Sequence, residues 1–143
     1  YKDHVKVDRT TKLIEDYEVT EASVHDSQAV EDLVEEDDGT LHGDSAYSGE
    51  KIETILKESG VKGEICEKGY RNHPLSEEQK KSNRERSRIR ARVEHIFGFM
   101  TNTMRDGLKM RWIGMRRIAV GIGLLNLVYN MARYEQIMRL KLA

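Results

Sequence analysis

The sequence predicts a mixed α/β fold whose second half is mostly helical. Three observations carry this. Apolar and polar residues alternate at period two within residues 4–20. Short apolar runs bounded by glycine recur at Leu41-His42-Gly43 and within Val61–Glu67. Beyond Ser76 the apolar spacing becomes helical and stays so almost to the end of the chain. The element order read from these patterns is β-β-α-β-α-β-α-α.

The first two strands are His4–Val7 and Leu13–Thr20, joined by the polar turn Asp8-Arg9-Thr10-Thr11-Lys12, a hairpin signal. Ser23-Val24-His25-Asp26 reads as a helix start, followed by Ala29, Val30, Leu33 and Val34 at helical spacing; the acidic run Glu35-Glu36-Asp37-Asp38-Gly39 ends that helix. Leu41-His42-Gly43 is a short strand that delivers Asp44 into the loop Ser45-Ala46-Tyr47-Ser48-Gly49. A helix from about Glu50 to Ser59 points Ile52, Ile55 and Leu56 inward and stops at Gly60. Val61–Glu67 is the weakest strand, interrupted by Gly63.

Ser76-Glu77-Glu78-Gln79 fits a capping box, so a long helix is expected from there to about Asn102. Its apolar stripe is Ile89, Val93, Ile96 and Met100. Asp106-Gly107 is a break, and a last helix covers roughly Ile113 to Leu140. The apolar stretch Ile118–Met131 is broken by Gly121, Gly123, Asn126 and Asn130, too short and too polar to span a bilayer. The opening run Tyr1-Lys2-Asp3-His4-Val5-Lys6-Val7-Asp8 starts inside a strand pattern without a methionine, so a truncated N-terminus is expected.

The net charge of −1 conceals a strong polarity. Residues 1–38 hold four basic and thirteen acidic residues, a net of −9, whereas residues 79–118 hold twelve basic and three acidic, a net of +9. Such asymmetry points to a basic surface for a polyanion. The lone Cys66 excludes an internal disulfide and any zinc site built from several cysteines, and fits a reducing, cytoplasmic compartment.

The basic surface centres on Arg84, Arg86, Arg88, Arg90 and Arg92. On a helix Arg84, Arg88 and Arg92 share one face, and Arg86 and Arg90 another. Only Glu85 and Glu94 lie among the seven Lys/Arg residues from Lys80 to Glu94, and unpaired like charge at i,i+4 is mildly destabilising unless a polyanion relieves it. Glu94 lies about 100° from the core stripe, where it reads either as an acid for chemistry or as an ion-pair partner of Arg90. Asp44, at the carboxyl end of a strand, reads either as an active-site acid or as a turn aspartate. His25, His42, His73 and His95 show no metal-ligand spacing. Lys109, Arg111, Arg116 and Arg117 around Trp112 form a second basic patch that either grips nucleic acid or starts an amphipathic helix with Trp112 buried.

Five runs, in order, resemble one family: Tyr1–Asp8, Val19–Asp26, His42–Gly49, Glu67–Arg71 and Arg90–Gly98. Together they resemble the DDE transposases of bacterial insertion sequences, in the insertion-sequence-5-like branch. The resemblance implies a ribonuclease-H-like mixed sheet with flanking helices, in which residues 1–143 form a single partial catalytic domain. Three acids bind Mg2+ (or Mn2+) in that family. The second matches Asp44 in Gly43-Asp44-Ser45-Ala46-Tyr47, and the third matches Glu94 in Arg90-Ala91-Arg92-Val93-Glu94-His95-Ile96-Phe97. The first would precede Tyr1, and Asp8, at a turn, is not assigned that role. Arg90 matches a family arginine on the last catalytic helix. Ser87 and Thr101 stand where a tyrosine and a lysine are expected, and Arg105 is a candidate substitute for the lysine.

The resemblance further implies cleavage and strand transfer on double-stranded DNA, at transposon ends and target, by a bacterial, nucleoid-associated protein without a membrane partner; it leaves room for a homodimer on DNA. The isolated chain is expected to be inactive, because two of three acids cannot fix two metal ions. Two other readings compete: a non-catalytic nucleic-acid-binding domain or decayed remnant that uses the same arginines, and a structural module that joins partners through the last helix.

Overall fold

In a computed structural model, residues 1–36, 38–71, 73–104 and 109–140 are described. The strands are β1 (Lys2–Val7), β2 (Ile14–Thr20), β3 (Thr40–Gly43) and β4 (Lys62–Ile65), and the helices are α1 (Val30–Leu33), α2 (Glu50–Glu58), α3 (Glu77–Asn102) and α4 (Met115–Leu140). Both the mixed α/β class and the element order expected from the sequence are observed. Among the described residues the strands form two separate two-stranded ladders rather than one mixed sheet. Each ladder buries its apolar side chains on helices of its own, and the chain divides into two compact units: residues 1–24 with 92–143, and residues 25–91.

In the first unit β1 and β2 are antiparallel, from Lys2 opposite Thr20 to Val7 opposite Ile14, with a bulge between Lys6 and Val7. The period-two pattern places Val5, Val7 and Ile14 against Ile96, Met100 and Tyr129. The connecting turn is held by Asp8, whose Oδ1 accepts from the Thr10 and Thr11 amides at 3.2 and 2.6 Å. The Thr11 hydroxyl first, and the Thr11 amide second, hold the Asp8 carboxyl pKa below the usual carboxylate range. Asp8 is thus a turn residue, as its position predicts.

The polar interruptions of α4 have a structural use. Asn130 accepts from the Ile14 amide at 2.8 Å and donates to the Ile14 carbonyl at 2.7 Å. The Tyr129 hydroxyl donates to the Lys12 carbonyl at 2.9 Å, and Arg133 Nε to the Thr11 carbonyl at 2.7 Å. These bonds fasten the helix to the start of β2. Gly121 lies under Trp112: a Cβ there would overlap the indole and come within 3.1 Å of Met110 Sδ. The Trp112 ring packs on that glycine and remains half exposed, between the two arrangements considered from sequence.

In the second unit β3 and β4 are parallel, Thr40 opposite Lys62 and Gly43 opposite Ile65, and α2 makes the crossover between them. Val30, Ile52, Leu56 and Val61 are its core, with Leu41, Tyr47 and Ile65 packed around them. Gly60 stops α2 at a φ of 70°. The helix expected after Ser23 is shorter than its apolar spacing suggests. A 3-10 turn at Asp26–Gln28 precedes α1, which ends at Val34 with φ −88° and ψ 128°. The Asp38 carboxylate takes the Glu35 amide at 2.9 Å, a local bond that competes with further helix.

The capping box is present: the Gln79 amide donates to Ser76 Oγ at 3.2 Å, and the Ser76 amide to Gln79 Oε1 at 2.8 Å. From it α3 runs for 26 residues. Ile96 and Met100 of the predicted stripe are fully buried, whereas Ile89 and Val93 are partly so.

Candidate functional site

Asp44 leaves the carboxyl end of β3, where the chain turns into a short 3-10 helix, Ser45–Tyr47. Its Oδ1 accepts from the Ala46 amide at 2.8 Å and so caps that turn. Its Oδ2 accepts from Arg90 Nη1 at 2.9 Å, and both side chains are roughly a third exposed. An ion pair this accessible contributes about 0–1 kcal/mol. Tyr47 backs the loop. Its ring lies against Gly43, and burial pushes the pKa of its hydroxyl above the usual value, with the negative charges of Asp26 and Asp44 adding and Arg90 opposing. Asp44 thus performs the turn role that sequence offered as its simpler explanation, and holds an arginine of α3 as well.

The arginine run divides by use. Arg86 is only 24% exposed; its Nε donates to Glu64 at 3.0 Å and its Nη1 to the Ile65 carbonyl at 2.6 Å. Arg90 meets Asp44. Arg92 Nη1 donates to the Arg9 carbonyl at 2.6 Å while the side chain stays exposed. Arg84 and Arg88 are exposed, and neither has a hydrogen-bond or ion-pair partner among the described residues. The alternate positions therefore split between a face turned to the carboxyl end of β3 and to β4, which holds Arg90 and Arg86, and an exposed face with Arg84, Arg88 and Arg92. Arg105 lies outside the described residues, as does the Asp106-Gly107 break.

Glu94 is exposed on α3, about 6 Å along the helix axis beyond Arg90. Carboxylate oxygens of Asp44 and Glu94 are the donor type that Mg2+ and Mn2+ prefer. No three His, Cys, Asp or Glu side chains gather into a metal-holding group among the described residues. The Asp44 carboxylate fits such an ion in donor chemistry, with Arg90 competing for the same oxygen. Ser87 faces Cys66, Oγ to Sγ 3.7 Å, and the Thr101 hydroxyl donates to the Phe97 carbonyl at 2.8 Å, so both are engaged locally.

The sequence reading did not single out Lys12, Arg133 or Gln136. In the first unit these line an open cleft of about 240 Å3 together with His95, Phe99 and Tyr129. No local sequence pattern marks them; in the structure Lys12 is the one non-glycine residue at positive φ, 62°, among the described residues.

The family model for the transposase DDE domain matches residues 1–131. A transposase for insertion sequence element IS1106 from Neisseria meningitidis serogroup B is 32% identical over 107 residues. That match covers 73% of this chain and 37% of the relative, so the chain spans little more than a third of the relative's length. No solved structure matches the chain. Among the described residues no helix is long and apolar enough to cross a membrane.

Proposed function

The chain belongs to the transposase DDE-domain family, and from that premise we propose that Asp44 and Glu94 are two of its three catalytic acids. The whole protein is then a metal-dependent phosphoryl transferase that cuts double-stranded DNA at transposon ends and joins them to a target. The first acid would come from outside these residues, which form part of a catalytic domain. A ribonuclease-H-like core, membership of the insertion-sequence-5-like branch and action as a homodimer on DNA belong to the same proposal. Without the first acid, residues 1–143 are inactive in strand transfer.

The observation that carries this reading is the pairing of Asp44, at the carboxyl end of β3, with Arg90, one helical turn before Glu94. Open α/β sheets place their sites at such strand ends. A Mg2+ or Mn2+ ion bound there supplies activation of the attacking oxygen and stabilisation of the leaving one. The chain's own part is electrostatic. Asp44 offers an acceptor oxygen held in position by the Ala46 amide. Arg90 alternates between that oxygen and a DNA phosphate, for which its planar fork is suited. Exposed Arg84 and Arg88 neutralise neighbouring phosphates. Occupation of Asp44 by Arg90 also favours a second reading, in which the same arginines bind DNA without metal.

Calorimetric titration of the chain with Mn2+ separates the two. Under the enzyme reading Asp44→Asn weakens binding by about tenfold or more, and Arg90→Ala strengthens it by removing the competing cation. Metal affinity indifferent to both Asp44→Asn and Glu94→Gln would leave only the metal-free reading.

A further inference from the structure

The cleft lined by Lys12, His95, Phe99, Tyr129, Arg133 and Gln136 lies wholly within the first unit. Its polar chemistry is one-sided. Lys12 carries an ammonium that finds no partner among the described residues. Arg133 is pinned: Nε donates to the Thr11 carbonyl at 2.7 Å, and Nη1 to Gln136 Oε1 at 3.2 Å. Two of the guanidinium's five N–H donors are thus spent on fixing it, and three remain for a ligand. The Gln136 oxygen is used by Arg133, which leaves its amide N–H groups. The Tyr129 hydroxyl spends its proton on the Lys12 carbonyl at 2.9 Å. Among the described residues no carboxylate lines the cleft.

Two further observations bear on occupancy. Lys12 holds a φ of 62°, a conformation L side chains rarely adopt. The turn keeps it there through the Lys12 amide, which donates to the Asp8 carbonyl at 3.0 Å, and through its own carbonyl on Tyr129. The walls are apolar and fixed: Phe99 and Tyr129 meet edge to face at 5.8 Å between ring centres. At about 240 Å3 the cleft falls below the roughly 300–1,000 Å3 of pockets for drug-sized ligands. It suits one phosphate with an adjoining sugar.

We propose that this cleft seats a backbone phosphate of bound DNA, held by Lys12 and Arg133 over the Phe99–Tyr129 edge. The proposal rests on the DNA-handling reading above and adds cations other than those of the arginine run. The Lys12 ammonium is a strongly hydrated point charge suited to a diester oxygen, and the pinned guanidinium supplies a preorganised donor set.

The test measures duplex-DNA binding by the 143-residue chain from 0.05 to 1 M salt. Lys12→Gly removes the cation and relieves the positive φ, so the fold is not weakened. It should reduce the magnitude of the salt slope by about 0.9, equivalent to roughly eightfold weaker binding at 0.1 M salt and almost none at 1 M. Lys12→Arg should restore the slope. Arg88→Ala serves as the control on the helix. Wild-type slope and affinity in Lys12→Gly, with Arg88→Ala impaired, would overturn the cleft and leave the proposed function standing. No salt-sensitive DNA binding by the wild-type chain would overturn both. Inorganic phosphate distinguishes the source: amide resonances of Lys12 and His95 that move with phosphate but not with DNA would overturn a nucleic-acid occupant.

Discussion

Asp3 shows how a single partly buried acid sets a pH dependence. It lies on β1, where desolvation pushes its carboxyl up to about 6, against a smaller opposing effect of the Asn126 hydrogen bond. That bond is long, 3.5 Å, and neither Asp3 Oδ2 nor Asn126 Oδ1 has a partner among the described residues. The folded state therefore holds a proton on Asp3 that the unfolded chain has already released. Stability tied to this group is fully present below about pH 4 and is lost as pH rises through 6. Discounted for partial solvent access, the loss is on the order of 2 kcal/mol. Asp3→Asn should raise the melting temperature at pH 7 and flatten its dependence between pH 4 and 7. An unchanged pH profile would show that Asp3 is charged and solvated in the native protein.

At the scale of elements, the two glycines of α4 explain why an apolar helix tolerates residues of poor helix propensity. Each costs about 1 kcal/mol relative to alanine in a helix interior. A Cβ at Gly121 would overlap the Trp112 ring, and one at Gly123 would meet the Tyr17 phenol. Gly121→Ala should therefore push Trp112 outward and not unfold the helix, because the half-exposed indole can move. Trp112 is the only tryptophan, so a red shift of its emission reads the displacement directly; an unshifted spectrum would remove the proposed contact. The elements themselves were largely legible in sequence. Period-two alternation marked the hairpin, Ser76 and Gln79 marked the start of α3, and Gly60 marked the end of α2. The short α1 was not legible, because local bonding by Asp38 outweighed an apolar spacing that suits a longer helix. Nor was the docking of α4, since Asn130 meets Ile14 across 116 residues, a pairing no local pattern encodes.

For the whole molecule, charge segregation is the property sequence exposed best and resolved least. The net of +9 over residues 79–118 says that a polyanion is favoured, but not which cations remain to meet it. Asp44 and Glu94 were legible as candidate acids, while the Arg90–Asp44 pair, 46 residues apart in the chain, was not. Helical spacing divided the five arginines between two faces, Arg84, Arg88 and Arg92 on one and Arg86 and Arg90 on the other, but did not say which face was engaged. Packing makes them unequal, because Arg86 is committed to Glu64 and the Ile65 carbonyl, whereas Arg88 is exposed. Two substitutions of identical chemistry should therefore diverge. Arg88→Ala should reduce the salt slope of DNA binding by about 0.9 and leave stability within roughly 0.5 kcal/mol. Arg86→Ala should leave the slope unchanged and cost about 1 kcal/mol, from an ion pair and a carbonyl deprived of its donor. Denaturant melts and salt-dependent binding on the same pair of variants would check this. Equal slopes and equal stabilities would mean that all five arginines act as one solvated face, and that the division read from their partners does not govern binding.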